Sequence, residues 1–480
     1  MSICSINECN LDVYDGYDEC ILHCSKSELD FFKIRFDFYN SLKDYIANNS
    51  IDGNDFCHFF GIAFPKPDIQ SKINYAKILN TLKQIHFDNC HFFTSYIESS
   101  DSEFFFQDCI FHDRWSVFNA PVIKNVNEML YQNCIFHKDV SSYSEDDGKY
   151  VIDSQLFNDC EFKNRIEFGN VEFKSPIFNN TDDIDLNVES FYLMDCILKD
   201  KFILNRCNIE SFFMEDTVFE SKFEFKQNNV SNFEVFNTNY FKVVDTFETK
   251  FGKFNIKKSI FEDFVGFEKC SFGKSDESDN EYIAKFTYAT FLSFVNFRNT
   301  NFYSGLDIEN INLKEAPNFL NTNINEKYSN RETFRIIKSS FDKIHNYIEA
   351  NRYFAYEMQK YKEELKGTNK TQEKLILFLN EKISNYGQSY IRPISYMIVT
   401  SIIYYLLILG YENNILYEIY PSVNGALEKI SSFVNNVSKN ILPFSKMLKS
   451  GMEFISLVFY IIFASLIWQT LVAVKRHTRR

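Results

Sequence analysis

Three thiols and an imidazole lie close together at the start of the chain, in the order Cys4-x4-Cys9-x10-Cys20-x2-His23. Thiolate and imidazole are the ligands that a four-coordinate structural Zn2+ site uses. Cys24 follows His23 directly and is an alternative ligand. Four protein ligands leave no open position for a substrate, and no neighbouring residue reads as a general base. The chemistry expected here is structural, with the metal supplying folding energy to a segment poor in apolar residues. Elsewhere the chain has no Gly-rich loop ending in Lys-Ser/Thr, no G-x-S-x-G, no H-E-x-x-H and no kinase set. Stacked Asp and Glu pairs would arise from periodicity alone. The reading is non-enzymatic.

These ligands belong to a first module, residues 1–85. Within it Leu29 to Ala47 has helical spacing, although Phe31 to Phe38 also alternates as a strand would. Its expected role is to cap the open hydrophobic end of the repetitive middle segment. That segment, residues 86–325, is organised by an apolar residue every fifth position. Leu204, Ile209, Met214 and Phe219 give the clearest run, with Cys207 and Thr217 two places before their partners. Neither the period of 2 of a strand nor the 3.6 of a helix fits. A five-residue period asks for a winding chain whose coils stack to continue a core that no coil can bury alone. Asn, Asp, Ser and Gly between the apolar positions suit its corners. The pattern breaks near Ala120–Met129, Ser141–Ser154, Thr181–Ser190 and Ser275–Tyr282, which read as inserted loops or resets of the register.

The units Cys90/Phe92, Cys109/Phe111, Cys134/Phe136, Cys160/Phe162 and Cys270/Phe272 carry a resemblance to the pentapeptide-repeat family. Cys196/Leu198 and Cys207/Ile209 are weaker copies. That resemblance implies a mainly β fold: a right-handed quadrilateral β-helix of about four repeats per turn. The Cys…Cys-Ile-Leu-His start also resembles small zinc knuckles found ahead of such repeats, which supports Cys4, Cys9, Cys20 and His23 as ligands.

Composition narrows the function. Fifty-four Phe and twenty-eight Tyr suit a core one side chain wide, and a net charge of −14 argues against direct nucleic-acid binding. The first residues, MSICSINEC, have no basic stretch followed by an apolar run, so the twelve cysteines read as reduced. His58, His86, His91, His112 and His137 share no ligand spacing and read as solvated corner residues.

Beyond Asn325 the period changes to three and four. Residues 326–390 read as a helical neck, with one helix from Asn330 to Gly367 carrying Phe334, Ile337, Phe341, Ile344, Ile348, Phe354, Met358, Tyr361 and Leu365. A second runs from about Gln372 to Tyr386. Arg331, Arg335, Glu349, Arg352 and Glu357 read as a solvated or ion-paired face. Residues 391–480 hold two uncharged stretches, Pro393–Tyr411 and Phe454–Val474, each able to cross about 30 Å of hydrocarbon. Arg392, Lys475, Arg476, Arg479 and Arg480 put both termini in the cytoplasm by the positive-inside rule. The expectation is a two-pass protein of a bacterial inner membrane, in contact with lipid. The segment between the spans reads as an amphipathic helix on the outer leaflet.

The hairpin weakly resembles the two-helix pore unit of the potassium-channel superfamily, but T-x-G-Y-G is missing. Gln469 and Thr470 are the candidates for helix–helix hydrogen bonds or a pore lining. The leading expectation is a membrane-anchored scaffold displaying a rigid acidic solenoid, as a homo-oligomer or within a larger membrane complex. The alternative is an ion-channel-like subunit gated by its cytoplasmic domain. A minor one is a DNA mimic that engages topoisomerases, as some pentapeptide-repeat proteins do.

Overall fold

The computed structural model describes residues 3–478 apart from 7–8, 27–30, 52–55, 67–74, 98–101, 118–128, 144–148, 180–186, 275–279, 414–423 and 440–447. It divides into two units, Met1–Ser329 and Asn330–Arg480.

The first unit is a parallel β-solenoid of about ten turns. Between Asn187 and Ser271 its period is regular. Asn187, Asn208, Asn229, Lys250 and Ser271 are successive register partners, and side-chain bonds link residues 21 apart. The inward residues come in pairs separated by one outward residue: Phe202 and Leu204, Cys207 and Ile209, Phe212 and Met214, Thr217 and Phe219. The next turn starts with Phe223 and Phe225, and all ten are buried. Four five-residue units and one spare residue thus make a turn.

The first member of a pair is small only in alternate units, and backbone geometry explains the alternation. Arg206, Asp216, Gln227, Asn237, Glu248, Lys258 and Lys269 all have φ between 48 and 58°. Each precedes a small or short polar residue: Cys207, Thr217, Asn228, Thr238, Thr249, Ser259 or Cys270. A left-handed residue turns the chain sharply, and the next side chain then meets backbone carbonyls. Thr217 Oγ1 donates to Glu215 O at 2.9 Å, Thr249 Oγ1 to Phe225 O at 2.7 Å and Cys196 Sγ to Phe168 O at 3.5 Å. A phenyl ring has neither the size nor the donor for that place. At the other corners the first member is bulky, as with Phe212, Phe233 and Phe254.

Those rings stack from coil to coil. Phe191, Phe212, Phe233 and Phe254 have successive centroid separations of 5.3, 5.2 and 5.2 Å. Burial of such a ring contributes about 1.5–3 kcal/mol, and the ring pair adds about 0.5–1.5 kcal/mol.

The coil begins before His86. Phe56–Phe60 pairs with Gln84–Asp88, and Ala63–Phe64 pairs with His91–Phe92. Helix α1 (Phe31–Asn49) settles the ambiguity of that stretch and covers this first coil. Phe38 meets Phe64 edge-on at 5.8 Å, Tyr45 lies 5.8 Å from Phe59, and Leu42 is buried. Helix α2 (Tyr75–Leu79) belongs to the same turn. Residues 120–128, 144–148, 181–186 and 275–279 of the expected breaks lie outside the described residues. Parallel register spans them, as in Phe106↔Tyr131, Ile166↔Phe191 and Ile256↔Phe286.

In the second unit the expected single helix is two, α3 (Arg331–Lys343) and α4 (Tyr347–Glu364). His345 has φ +60°, and the Asn346 side chain caps α4. Ile344 and Ile348, which carry the period through the break, are both exposed. Folding back instead buries Phe334, Ile337 and Phe341 of α3, with Phe341 stacked on Tyr353 at 5.6 Å. Charged residues pair, Arg331 with Glu364 at the surface and Lys338 with the buried Glu357. Then come α5 (Thr371–Ser384), α6 (Ile391–Glu412), α7 (Asn424–Lys439) and α8 (Glu453–Thr478). Helices α6 and α8 are long and apolar enough to cross a membrane, and none of the eighteen most apolar residues of α6 is fully buried. Tyr404 of α6 stacks on Phe459 of α8 at 4.8 Å and donates to Ser456 Oγ at 2.8 Å.

Phe233→Ala in the detergent-solubilised chain should cost about 3–5 kcal/mol, and Glu234→Ala, on the outer face of the same strand, within about 0.5 kcal/mol. Thermal loss of far-ultraviolet β ellipticity reads the difference; equal midpoints would refute the inward assignment.

Candidate metal centre

The Sγ atoms of Cys4, Cys9 and Cys20 and a ring nitrogen of His23 all lie within 4.8 Å of one another, and the group can hold a metal ion. Cys9 Sγ is 3.7 Å from Cys20 Sγ, Cys4 Sγ is 3.5 Å from His23 Nδ1, and Cys20 Sγ is 3.1 Å from the same nitrogen. Tetrahedral ligands at Zn–S ≈ 2.3 Å and Zn–N ≈ 2.0–2.1 Å stand ~3.5–3.8 Å apart. Two of the three separations match those edges and the third is short.

Local backbone builds the cluster from two directions. A bond from Cys4 N to Leu11 O (3.0 Å) closes the first loop, and the Cys20 N–H donates to Cys4 Sγ at 3.3 Å. A tight turn, with Cys24 N bonded to Cys20 O, returns His23 beside Cys20. His23 Nε2 lies 3.2 Å from Phe60 O. A proton on Nε2 donated to that carbonyl leaves the Nδ1 lone pair facing the thiols, the outer-shell arrangement typical of ligating histidines. Gly61, at φ +65°, turns the first coil just past this carbonyl, and a Cβ there would lie 3.6 Å from the His23 ring. Ala63 N donates to Leu22 O at 2.9 Å, so module and coil share backbone bonds.

Burial governs the electrostatics. It pushes the Cys20 thiol up to about 12 and raises that of Cys9, and it lowers the basicity of His23. Without a cation these groups are neutral, so metal binding must displace protons. Cys24 stands outside the cluster: its Sγ is 3.4 Å from Nζ of the buried Lys26, which also donates to Cys24 O. The solenoid cysteines form a separate set. Cys90, Cys109, Cys134 and Cys160 each donate to a carbonyl of the preceding coil, and burial raises the pKa of Cys90 and Cys134. All twelve cysteines are free.

In the second unit Gln469 bridges helices. Its Oε1 accepts from Ser384 Oγ at 2.9 Å, and its Nε2 donates to Asn380 Oδ1 at 2.6 Å. Thr470 Oγ1 donates to Leu466 O of its own helix at 2.8 Å.

Three of the histidines depart from the solvated-corner reading: His86, His91 and His112 are half-buried, while His58 and His137 are exposed. His91 Nδ1 lies 3.0 Å from His112 Nε2, the rings of His112 and His137 stack at 5.3 Å, and Phe93 stacks on His112 at 4.3 Å. His58 packs on His86 at 4.9 Å. Burial, then the flanking imidazoles, lower His112 to about 4. One signal was available, because His91 and His112 are 21 residues apart, the length of one regular turn.

No protein-family description, curated protein or solved structure matches this chain.

Purified full-length protein should retain about one zinc per chain, as a closed site of this donor type does. Cys20→Ser or His23→Ala should lose most of it, and Cys24→Ser should keep it. Loading the apo protein should release protons, with apparent affinity rising with pH because thiols must ionise. Metal analysis with potentiometric titration checks both; full zinc content in Cys20→Ser would refute the ligand set.

Proposed function

We propose that the chain is a non-enzymatic, membrane-tethered scaffold of the pentapeptide-repeat class. The observation that carries this reading is the presence in one chain of a parallel coil and two apolar helices, one of which has no fully buried residue among its eighteen most apolar. Four inward pairs per turn are what a four-sided coil needs, and parallel crossovers are overwhelmingly right-handed. Thiolate softness and tetrahedral spacing favour zinc at the N-terminal cluster. The metal would stabilise the lead-in to the first coil rather than act on a substrate.

In this reading α6 and α8 cross a bacterial cytoplasmic membrane, with both termini and the solenoid on the cytoplasmic side. Lys475 and Arg476 in the last turn of α8 supply the positive inner flank. The acidic coil presents pre-ordered strands to a protein partner, so little ordering entropy opposes binding. Self-association or a larger membrane assembly would multiply such contacts. Gln469 favours the scaffold over the pore, because both ends of its amide bond to α5 of the same chain.

Two measurements test this reading. Reconstituted vesicles should show no steady conductance, and Ser431→Cys in α7 should react with an impermeant maleimide only from the outer face of right-side-out vesicles. A current abolished by Gln469→Lys would establish the channel reading instead, and labelling from the inner face would refute the topology.

A further inference from the structure

Helix α5 is built inside out. Leu375, Ile376, Phe378 and Leu379 are 59, 58, 46 and 44 % exposed, while Asn380, Glu381 and Ser384 turn toward the neighbouring helices. Asn380 and Ser384 bond to Gln469 of α8, Glu381 pairs with Lys362 of α4, and Glu373 accepts from the Tyr361 hydroxyl. Leu377 is the one buried apolar residue of the helix. A helix facing water has the opposite polarity. At 100° per residue the four exposed apolar side chains share one face, together with Lys382 and, in the first turn, Thr371 and Gln372.

Position adds the second argument. Gln469, the anchor of α5, precedes Lys475 by six residues, so it lies ~9 Å along α8 from the first basic residue at the helical rise of 1.5 Å per residue. The loop after α5 is fixed at the basic end itself. Arg476 donates to Tyr386 O, and His477 Nε2 lies 3.0 Å from Gln388 O. Helix α5 is therefore held against α8 between its basic end and its apolar stretch, the depth at which acyl chains give way to headgroups. Lys382 Nζ lies 5.9 Å from the centre of the Phe378 ring, and its stem is long enough to carry the ammonium out to headgroups.

From this geometry we infer that α5 is an interfacial helix whose Leu375–Leu379 face is embedded in the cytoplasmic leaflet, with lipid as the occupant of that face. The inference rests on the membrane reading of α6 and α8. It adds a third point of lipid contact, one that locks the helical unit against the bilayer rather than leaving it to swivel on two spans.

Tryptophan quenching separates the two claims. The chain has two tryptophans: Trp115 is buried in the solenoid, and Trp468 on α8 is 66 % exposed. In phosphatidylcholine vesicles brominated on the acyl chains, Trp468 of the unaltered full-length protein should be quenched. In the Trp468→Phe background, Phe378→Trp and separately Leu375→Trp should each lose the emission of the introduced indole, most strongly with bromines near the glycerol backbone, leaving that of Trp115. Quenched Trp468 with unquenched, blue-shifted emission from both introduced indoles would mean that protein, such as a second copy, covers the face. Unquenched, red-shifted emission would mean water; either result overturns the inference and leaves the membrane reading intact. Unquenched Trp468 would overturn both.

Discussion

Every coil of this protein must hand its apolar edge to the next coil at a fixed register. Backbone bonds such as Asn229 N to Cys207 O, at 2.9 Å, set the spacing between coils, and the rings then stack at the spacing the backbone imposes. Because the register is fixed, one inward residue specifies its neighbours two units along the chain and one turn above. Solenoids of this kind gain stability from nearest-neighbour interfaces rather than from one central core. Ends and interruptions are therefore the vulnerable places, and α1 closes the first coil with Phe38, Leu42 and Tyr45.

Much of this was legible in the sequence, because a five-residue period is rare and inward residues must be apolar. Leu204, Ile209, Met214 and Phe219 are buried as their spacing requires. The alternation between small and bulky first members was less legible. It follows from left-handed turns at which Asn and Asp predominate, as at Asn89, Asp108 and Asp216, but which Arg206, Gln227 and Glu248 also occupy, so the signal fades in the most regular coils. The first coil was hidden because α2 stands between its strands, where the repeat has no apolar residue every fifth position to follow. The break between α3 and α4 was hidden because Ile344 and Ile348 continue the helical period although neither is buried.

The group that can hold a metal was readable from residue type and spacing, since its thiols stand outside the repeat. Sequence alone could not choose between Cys24 and its neighbours, a choice made by the tight turn at Cys20–Cys24. The contact of His23 with Phe60 O joins the cluster to the coil, so an ion held there would stabilise the first turn of the solenoid as well. The polarity of α5 was also invisible from spacing, because an amphipathic pattern does not say which side faces the protein.

The parallel register is the claim on which the rest stands, and disulfide trapping between outward positions measures it directly. Phe213 and Glu234 are direct partners, and Glu234 pairs in turn with Asn255; partners on adjacent strands have Cβ atoms ~5 Å apart. Phe213→Cys with Glu234→Cys should cross-link rapidly under mild oxidation, and Phe213→Cys with Asn255→Cys, two coils apart, should not. Equal trapping of the two pairs, or of neither, would contradict the stacked coil.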